Sequence, residues 1–563
     1  MPVAQRSEQP GARRWLDHGG RNEVLHQTLA HRRVRAARLP NSGPDGIFPG
    51  MTTRSAAPIT GAFRGSNRPI ARAEAPAHVD VLIVGAGLSG ISAAWHLQRA
   101  MPDQSYAIVE ARAAMGGTWD LFRYPGIRSD SDMYTLGYRF RPWLEAKAIA
   151  DGPSIKRYIE ETARDAGIDR RIRFQHRLVR AEWSSTAARW TVTLAVGPDA
   201  HEEVMTCGFV FNCSGYYDYR AGYTPTWEGM ERYRGRVVHP QQWPADLDYA
   251  GKRVLVIGSG ATAVTLVPAM ASGPDAAATV TMLQRSPTYI ASLPTEDWLA
   301  NVVRRVLPAR VAHPLIRWKN ISRSMFYFWL ARTYPGVFKR GLRTEAVREL
   351  GPSYPVDEHF SPHYNPWDER LCIVPDGNLF HVLRDGRAKI VTDTIARFTE
   401  TGVELASGAR IEADVIVTAT GLRMSILTGV ELVVDGEPVE LSRQFVYKGL
   451  MLSSLPNFAM AVGYTNASWT LKSDLIAQYV CRLLRYMRAQ GHAQVTPRAE
   501  PGMPARSVFD FTSGYVRRAE SMLPKQGPAR PWRIYQNYVK DLLVLRYGSL
   551  ADPALEFRPR QMA

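Results

Sequence analysis

The pattern of hydrophobic and polar positions changes near residue 78 of this 563-residue chain. Residues 1–76 show no sustained apolar period and are rich in Arg, Gly, Pro and Ala, with 12 arginines against 5 acidic residues. Such a composition buries too little apolar surface to fold, so this stretch is predicted to be disordered or a non-native extension. The pattern leaves open whether the natural chain starts at Met1 or at Met51, which opens the sequence MTTRSAAP.

Beyond residue 78, the pattern twice follows the order strand, helix, strand. Residues 79–84 are a β-branched apolar run that predicts a buried parallel strand, and the ISAAWHLQRA stretch after it has a helical pattern. Residues 106–109 form the next apolar run. The same order recurs with residues 254–257, an apolar helical stretch and residues 279–283. This alternation predicts an α/β fold with two Rossmann-like dinucleotide-binding domains.

The first strand runs directly into a glycine-rich turn that has the spacing of a dinucleotide fingerprint: Gly85, Gly87 and Gly90. The first glycine permits the tight turn, the second lets the backbone approach a pyrophosphate, and the third lets the helix pack on the strand. Glu110 follows the second strand, where an acidic side chain is expected to hold a ribose hydroxyl. Strand, glycines, helix and acid in register predict a dinucleotide site.

A second fingerprint follows residues 254–257, with two glycines and an alanine at its three positions: Gly258, Gly260 and Ala263. Gln284 stands where the first fingerprint has its acid, and Arg285 and Ser286 come next. Without an acid there is no ligand for a ribose 2′-hydroxyl, whereas an arginine suits a 2′-phosphate. We therefore expect this site to bind NADPH through Arg285 and Ser286. Two such sites in one chain suit hydride transfer from NADPH to a flavin.

Charge and composition exclude several classes of function. The formal net charge is +17, of which residues 1–76 carry +7, and neither a helix-turn-helix pattern nor interleaved aromatic residues indicate a nucleic-acid site. No apolar run approaches the ~18 residues of a membrane-spanning helix, and the N-terminus lacks the apolar region of a secretory signal. The four cysteines are widely spaced, which predicts buried thiols in a reducing cytoplasm and argues against a redox dithiol. No metal site is predicted.

Two longer motifs have a more specific spacing. The first, G-x-W-x-x-x-x-[FY]-P-[GM]-x-x-x-D, is matched at Gly117, Trp119, Tyr124, Pro125, Gly126 and Asp130. The second, [FY]-x-G-x-x-x-H-x-x-x-W-[PD], is matched at Tyr233, Gly235, His239, Trp243 and Pro244. In both motifs the chain resembles class B flavoprotein monooxygenases of the Baeyer–Villiger type. Trp243 with Pro244 separates it from the related flavin-containing monooxygenases, which usually carry Tyr or Phe at the first of these sites.

Two further segments narrow the resemblance. HYNPWDERLC (363–372) and GYTNASWT (463–470) are similar to the ethionamide-activating and long-chain-alkane-degrading monooxygenases. The resemblance extends over ordered motifs from about residue 78 to residue 498. It implies FAD at the first fingerprint, bound by Gly85, Gly87, Gly90, Glu110, Arg112, Gly117, Trp119 and Asp130. It implies NADPH at the second, bound by Gly258, Gly260, Ala263, Arg285 and Ser286.

The activity implied by the resemblance is insertion of one oxygen atom of O2 into a small apolar ketone, giving an ester through a flavin 4a-peroxide. The same intermediate oxidises thioethers. Arg370 is expected to be the catalytic cation, with Asp130 orienting its guanidinium and Arg128 as the next candidate. His239 is expected to couple NADPH binding to a conformational change. Known members carry Lys before the arginine to contact the 2′-phosphate, whereas this chain has Glu369.

Two alternatives stay open. A flavin-containing monooxygenase that acts only on nitrogen or sulfur atoms shares both fingerprints. A flavoprotein that binds both dinucleotides without oxygenating anything shares them too. The sequence does not indicate the chain length of the substrate or the oligomeric state.

The order of the motifs predicts the domain boundaries. An FAD-binding domain is expected at 77–220 and 386–500, with an NADPH-binding domain at 221–385 inserted in it and a C-terminal segment at 501–563. Residues 410–421, which end in Ala-Thr-Gly, are expected to form a returning strand of the FAD-binding sheet.

A basic and aromatic segment interrupts the α/β pattern. Residues 299–345 surround the run SMFYFWLA with arginines and lysines, and a helical insertion is predicted at 297–350. Its helices are expected to pack against the substrate cavity. The alternative is a membrane-facing amphipathic element that gathers apolar substrate, which would place the protein at the inner face of the cell membrane.

Overall fold

The computed structural model describes residues 78–369, 371–427, 429–509 and 513–560. The predicted disordered stretch, the choice between Met1 and Met51, and the predicted catalytic Arg370 therefore lie outside the described residues.

The strands and helices of the described residues are numbered here in chain order. The strands are β1 (His78–Val84), β2 (Tyr106–Glu110), β3 (Ile172–Phe174), β4 (His176–Ser184), β5 (Arg189–Val196), β6 (His201–Asn212), β7 (Arg236–Val238), β8 (Arg253–Ile257), β9 (Thr279–Gln284), β10 (Tyr289–Leu293), β11 (Leu371–Pro375), β12 (Ala388–Thr392), β13 (Ile395–Phe398), β14 (Gly402–Leu405), β15 (Arg410–Glu412), β16 (Val415–Thr418), β17 (Glu431–Val434), β18 (Glu437–Pro438), β19 (Val446–Tyr447), β20 (Met451–Leu452), β21 (Phe458–Met460), β22 (His492–Pro497), β23 (Arg506–Ser507), β24 (Lys525–Gln526) and β25 (Leu555–Pro559). The helices are α1 (Leu88–Ala100), α2 (Thr118–Leu121), α3 (Met133–Leu136), α4 (Gly152–Asp165), α5 (Ala261–Met270), α6 (Trp298–Val306), α7 (Ala309–Thr333), α8 (Pro335–Leu350), α9 (Val356–Phe360), α10 (Asn378–Arg384), α11 (Trp469–Ala489), α12 (Gly514–Ala519) and α13 (Tyr538–Asp541).

The larger sheet is centred on the first predicted strand. Its order is β18–β17–β4–β5–β6–β1–β2–β3, with β21 paired beside the end of β6. Ile83 of β1 lies opposite Ile108 of β2 and Phe211 of β6, both in parallel register. All three side chains are buried. A central strand covered on both faces has no solvent side, which explains why β1 is a continuous apolar run.

The smaller sheet carries the second fingerprint and has the order β12–β9–β8–β16–β7. Its strands are parallel, with Val254 of β8 opposite Val280 of β9 and Val415 of β16. The expectation that residues 410–421 return to the FAD-binding sheet is therefore wrong, because β16 pairs with β8 and β7. A short apolar strand suits the centre of either parallel sheet, and only its neighbours decide which one it joins.

The two sheets are interleaved along the chain. The larger sheet takes its strands from residues 78–212 and 431–460, and the smaller one from residues 236–418. This arrangement confirms the predicted α/β fold with one dinucleotide-binding unit inserted in the other. The domain boundaries stay a prediction. Since β12 and β16 follow residue 385 and belong to the smaller sheet, we propose that the inserted domain extends to about residue 420.

Three helices, α6, α7 and α8, occupy the predicted insertion. Arg317 of α7 is 3% exposed and donates from Nη1 to the carbonyl oxygens of Tyr134 (2.8 Å) and Gly137 (2.9 Å). These bonds anchor α7 on α3, beside the larger sheet. Of the helices in the described residues, none combines the length and apolarity that crossing a membrane requires.

Candidate functional site

In the first glycine turn, the packing of the backbone itself leaves no room for a side chain at two positions. Gly85 has a φ of +102°, and a Cβ there would lie 2.7 Å from the carbonyl oxygen of Cys213. A Cβ on Gly90 would lie 1.9 Å from the carbonyl oxygen of Gly85. Gly258 repeats the arrangement in the second turn, with a φ of +136° and 2.3 Å to the carbonyl oxygen of Ala419. These glycines are required by backbone packing alone.

The middle glycines of the two turns differ, because the protein itself leaves room for a side chain. A Cβ on Gly87 would come no closer than 3.5 Å to Gly117, and one on Gly260 would have nothing within 4 Å. Both residues stand at the start of helices, α1 and α5, that lack a side-chain cap among the described residues. Free N–H groups beside an open glycine fit the pyrophosphate of a dinucleotide. Both turns therefore suit such a cofactor.

Glu110 stands at the end of β2, next to the first turn. Its carboxylate accepts hydrogen bonds from the backbone N–H groups of Ala86 (2.8 Å) and Arg112 (2.9 Å). Burial raises the pKa of Glu110, and these two hydrogen bonds oppose the rise. The carboxylate thus holds the turn in shape and borders the cavity described below.

The predicted ligand Arg112 has a different environment. Its guanidinium forms an ion pair with Asp120 of α2, which Lys156 of α4 also contacts at 3.2 Å. Asp120 is nearly fully buried, and the two cations lower its pKa against the effect of burial. Arg112 therefore fastens α2 to the turn after β2, so its part in cofactor binding stays a prediction.

A large cavity joins the first turn to the inserted unit. Its volume is about 1010 Å³. Six of the predicted site residues line it: Gly85, Gly87, Glu110, Gly117, Trp119 and Asp130. From the inserted unit, Ala261 and Thr262 at the start of α5 reach it. The two fingerprints, far apart in the chain, thus face one space.

A partly buried cation lines this cavity together with the predicted aspartate. Arg128 and Asp130 both line the cavity, and Arg128 donates from Nη2 to the carbonyl oxygen of Ile373 in β11 at 3.2 Å. Burial lowers the pKa of Arg128, while the negative charge of Asp130 raises it. Leu371, the first residue of β11, also lines the cavity. The strand that directly follows Arg370 is therefore tied to the wall that holds Asp130.

The motif around residues 124–126 packs one dinucleotide-binding unit against the other. Tyr124 is buried and hydrogen-bonded to the side chain of Thr262 in α5. A Cβ on Gly126 would lie 2.8 Å from the Cβ of Ala269, also in α5. The Tyr-Pro-Gly element of the motif is thus explained by a close fit onto the helix of the second fingerprint.

The histidine motif lies at the carboxyl end of β16. His239 Nε2 and the carbonyl oxygen of Gly421 are 3.1 Å apart, and Nδ1 accepts from the N–H of Gln241. Burial lowers the pKa of His239, so the neutral ring is favoured, with Nε2–H as the donor. A Cβ on Gly222 would fall 1.9 Å from this ring. The position of the His239 ring therefore requires glycine at position 222, which no sequence motif indicated.

The other residues of this motif pack at the edge of the smaller sheet. Tyr233 donates from its hydroxyl to the carbonyl oxygen of Ala413, 3.0 Å away. A Cβ on Gly235 would lie 2.3 Å from that hydroxyl. Trp243 packs edge-on against Tyr249, with ring centroids 6.5 Å apart. These contacts explain the residue types as packing.

The residues at the end of β9, where the choice between NADPH and NADH is expected to be made, have different roles. Gln284 is 1% exposed and donates from Nε2 to the carbonyl oxygen of His359 and the hydroxyl of Thr392, each at 2.9 Å. Arg285 and Ser286 are exposed, and the carbonyl oxygen of Ser286 accepts from Ser259 in the second turn at 3.1 Å. Gln284 is therefore structural, and Arg285 is free to meet a ligand.

The helical insertion forms part of the cavity wall. Tyr327 and Leu330 of α7 and Val337 and Phe338 of α8 line it. The same helices expose large apolar side chains on their outer side, since Phe326 is 54% exposed. The insertion thus covers the cavity and also presents apolar surface.

Comparison with known proteins agrees with this site. Residues 83–145 match the NAD(P)-binding Rossmann-like domain family, and residues 149–313 match the flavin-binding monooxygenase-like family. The FAD-containing monooxygenase EthA of Mycolicibacterium smegmatis is 52% identical over 488 residues, covering 86% of this chain and 98% of that protein. A relative from Acinetobacter baylyi, named "Probable FAD-binding monooxygenase AlmA", is 45% identical over 484 residues, covering 85% of this chain and 96% of its own.

Solved structures share the fold at lower identity. A steroid monooxygenase bound to NADP superposes with a TM-score of 0.66 at 21% identity, covering 86% of this chain and 100% of its own. A cyclohexanone monooxygenase from Rhodococcus bound to NADP+ gives 0.68 at 17% identity, with the same coverage. The relatives confirm the predicted family, the monooxygenase class of enzyme and the FAD cofactor, and the solved structures confirm the fold. The chain belongs to the family of FAD-containing monooxygenases.

Proposed function

We propose that the chain is a Baeyer–Villiger monooxygenase that uses NADPH and O2 to convert apolar ketones into esters and that also oxidises thioethers. The proposal rests on one cavity of about 1010 Å³. Residues of both fingerprints line it, together with Arg128, Asp130 and the side chains of α7 and α8. With FAD held at the first turn, the chemistry supplied in this space would be activation of O2 by flavin that NADPH has reduced. The Baeyer–Villiger motif with Trp243 and Pro244 favours ketones over heteroatoms alone.

The two turns would hold the cofactors at opposite sides of the cavity. The free N–H groups at Gly87 and Gly260 suit the two pyrophosphates, and Glu110 suits the ribose of FAD. The contact of Tyr124 with Thr262 keeps the two turns in fixed relation. A fixed arrangement of the two turns would support hydride transfer between the cofactors, because the reacting atoms must approach to about 3–3.5 Å.

Positive charge in the cavity would stabilise the negative charge that forms during the reaction. Negative charge develops on the ketone oxygen during oxygen insertion, and a fixed guanidinium stabilises it without being deprotonated. We assign this role to Arg370, with Asp130 orienting its guanidinium. Arg128, which donates to Ile373 of β11, contributes positive charge to the cavity wall. The apolar side chains of Tyr327, Leu330 and Phe338 would exclude water and bind the hydrocarbon part of the substrate.

The test is isotope incorporation from oxygen-18 gas. The purified chain, supplied with NADPH and a series of methyl ketones and thioethers of increasing length, is expected to place one labelled atom in each ester and each sulfoxide. Labelled sulfoxide without ester would support the heteroatom-only alternative. Oxidation of NADPH with no labelled product from any substrate would support a flavoprotein that does not oxygenate.

We also propose that the outer side of α6–α8 docks on an anionic lipid surface. Several large apolar side chains there are at least half exposed: Trp298, Val306, Leu315, Phe326, Trp329 and Tyr334. The same helices carry exposed cations: Arg305, Arg310, Arg332 and Arg340. Apolar side chains combined with cations match a bilayer with acidic headgroups. Since α7 and α8 also line the cavity, apolar substrate would enter from the lipid.

A further inference from the structure

The helical insertion contributes a cation to the wall of the cavity. Arg323, Tyr327 and Leu330 of α7 line the cavity, and their spacing of four and three residues places them on one face of the helix. Val337 and Phe338 of α8 line it as well. Arg323 thus puts a guanidinium beside aromatic and apolar side chains.

The guanidinium of Arg323 has neither a hydrogen-bond acceptor nor an ion-pair partner among the residues that the structure describes. Its side chain is nevertheless partly buried. The other charges of the insertion near the cavity are satisfied: Glu345 of α8 accepts from the backbone N–H of Ser292, and Arg317 donates to two carbonyl oxygens of α3 and its C-terminal end. A partly buried guanidinium that lines a cavity in this way can be satisfied by a ligand.

Asp132 is the acid that interacts electrostatically with Arg323, and it lines the same cavity. Its carboxylate is already engaged, because Oδ1 accepts from the N–H of Thr135 at 3.0 Å and Oδ2 accepts from the Thr135 hydroxyl at 3.0 Å. These bonds cap the start of α3. Burial raises the pKa of Asp132, which favours the neutral acid. Asp132 therefore does not take the place of an ion-pair partner for Arg323.

The two ends of this α7 face lie beside different parts of the protein. Near its start, α7 is anchored on α3 through Arg317. Further along, Phe328 packs on Trp367, which also lines the cavity and precedes position 370 by three residues in the chain. From Arg323 to Leu330 the helix rises by about 10 Å, at 1.5 Å per residue. A substrate lying along this face would have one end at Arg323 and the other near Trp367.

We propose that Arg323 binds a carboxylate of the substrate, so that the preferred substrates are oxo acids in which an apolar chain separates the ketone from the acid. This inference rests on the proposed Baeyer–Villiger function. A carboxylate accepts two parallel hydrogen bonds from a guanidinium, and the pair is strong where water is excluded. Tyr327 and Leu330 would contact the chain between the two polar ends. The product would be an ester that keeps its carboxylate.

The location favours a substrate over the phosphates of the cofactors. The free N–H groups beside Gly87 and Gly260, at the starts of α1 and α5, already suit the two pyrophosphates. Arg323 belongs instead to the helix that packs on α3 and presents Tyr327 and Leu330 to the cavity. A single cation within an apolar wall fixes the orientation of a ligand that has one anionic end.

The first test is equilibrium binding to the oxidised, FAD-loaded full chain by titration calorimetry. Decanoate is the anionic probe, and decanamide is the neutral probe of the same length. Arg323→Ala is expected to weaken decanoate binding about ten- to a hundredfold, through loss of charge-assisted hydrogen bonds, and to change decanamide binding by less than about twofold. Arg323→Lys keeps the charge and should lose less. Arg348→Ala, exposed on α8 and outside the cavity wall, is the control.

The second test is turnover of two methyl ketones of equal chain length, 10-oxoundecanoate and undecan-2-one. The unaltered chain is expected to have the lower KM for the oxo acid, and Arg323→Ala should remove this difference while keeping kcat. Flavin absorbance and thermal midpoint establish that each variant is folded.

Three results would contradict these expectations in different ways. Ester from undecan-2-one, together with equal binding of decanoate and decanamide by the unaltered chain, would overturn the inference and leave the proposed function intact. Weaker binding of NADP+ by Arg323→Ala, with decanoate binding unchanged, would assign Arg323 to the cofactor and overturn the inference too. Ester from neither ketone would overturn the proposed function itself.

Discussion

At the scale of single residues, the glycines of the two fingerprints fall into two physical classes. Gly85, Gly90 and Gly258 are required by the protein, because a Cβ would collide with backbone carbonyl oxygens. Gly87 and Gly260 are not required by the packing of the described residues, and the proposed function accounts for them as the places where a pyrophosphate approaches the backbone. This distinction is invisible in the sequence, where all five belong to the same motif.

The two glycines of the second turn offer a matched pair of variants. Gly258→Ala is expected to destabilise the fold by about 1–3 kcal/mol, because it places a Cβ at positive φ against Ala419. Gly260→Ala has open space and is expected to keep the thermal midpoint while slowing flavin reduction by NADPH. Thermal melts and anaerobic reduction rates distinguish the two effects. A loss of stability in Gly260→Ala equal to that in Gly258→Ala would contradict this division.

Arg370 is the residue on which oxygen insertion is proposed to depend. Arg370→Ala is expected to bind FAD and accept hydride from NADPH, but to lose ester formation by about 10²–10³, the usual cost of removing one preorganised donor to a developing oxyanion. Oxygen uptake should continue with release of hydrogen peroxide. The measurement is the ratio of ester to NADPH consumed.

Arg128→Ala is the informative comparison, since Arg128 lines the cavity together with Asp130. If Arg370→Ala forms ester at the parent rate and Arg128→Ala does not, the catalytic cation is Arg128.

At the scale of elements, α7 combines a buried and an exposed side in one helix. Arg317 is buried on α3, while Trp329 is 51% exposed. Phe328 turns inward and packs on Trp367, with ring centroids 5.6 Å apart. The aromatic run that suggested either a cavity wall or a membrane-facing element therefore contains residues of both kinds, on different sides of the helix.

The lipid-docking proposal predicts a side-specific effect. Trp329→Asp and Phe326→Asp are expected to reduce co-sedimentation with anionic vesicles, because each places a charge in the apolar surface. Raising the salt concentration should reduce co-sedimentation too. Val204→Asp, on β6 and 60% exposed, is the control and should have no effect. Absence of vesicle binding at low salt would refute the proposal.

The partly buried His313 in the second turn of α7 predicts a pH effect on stability. Burial lowers the pKa of His313 from 6.5 to about 4, helped by the positive charge of Arg317. Since the unfolded chain then binds more protons, this contribution to stability is present above pH 6.5 and is lost as the pH falls towards 4. His313→Gln should show a smaller fall of the thermal midpoint over that range. His201→Gln, an exposed control on β6, should melt like the parent, and identical profiles for all three would refute the role of His313.

At the scale of the whole molecule, function depends on one unit being inserted in the other. The larger sheet is interrupted between β6 and β17, and the smaller sheet is built from the chain between them. The loop at Tyr124 and Gly126 packs on α5, and the first glycine turn and the start of α5 line one cavity. The C-terminal segment then returns to the smaller sheet through Arg518. Each cofactor site thus draws on parts of the chain that are remote in sequence.

Both fingerprints, the α/β fold and the family could be predicted from the sequence, because they depend on the order of neighbouring residues along the chain. A strand, a glycine turn and a helix occupy consecutive residues, so their spacing shows in the chain. Glu110 at the end of β2 and the missing acid at Gln284 belong to the same local pattern.

Contacts between residues that are far apart in the chain could be seen only in the folded protein. The tertiary structure placed β16 in the smaller sheet, directed Arg112 to Asp120, and set Gly222 against the ring of His239. It also placed the guanidinium of Arg518 in α12 over the ring of Tyr223, which composition and spacing gave no reason to expect. The physical reason is that such pairings are selected by packing, burial and charge over the whole molecule, whereas a sequence pattern reports only on neighbours along one element.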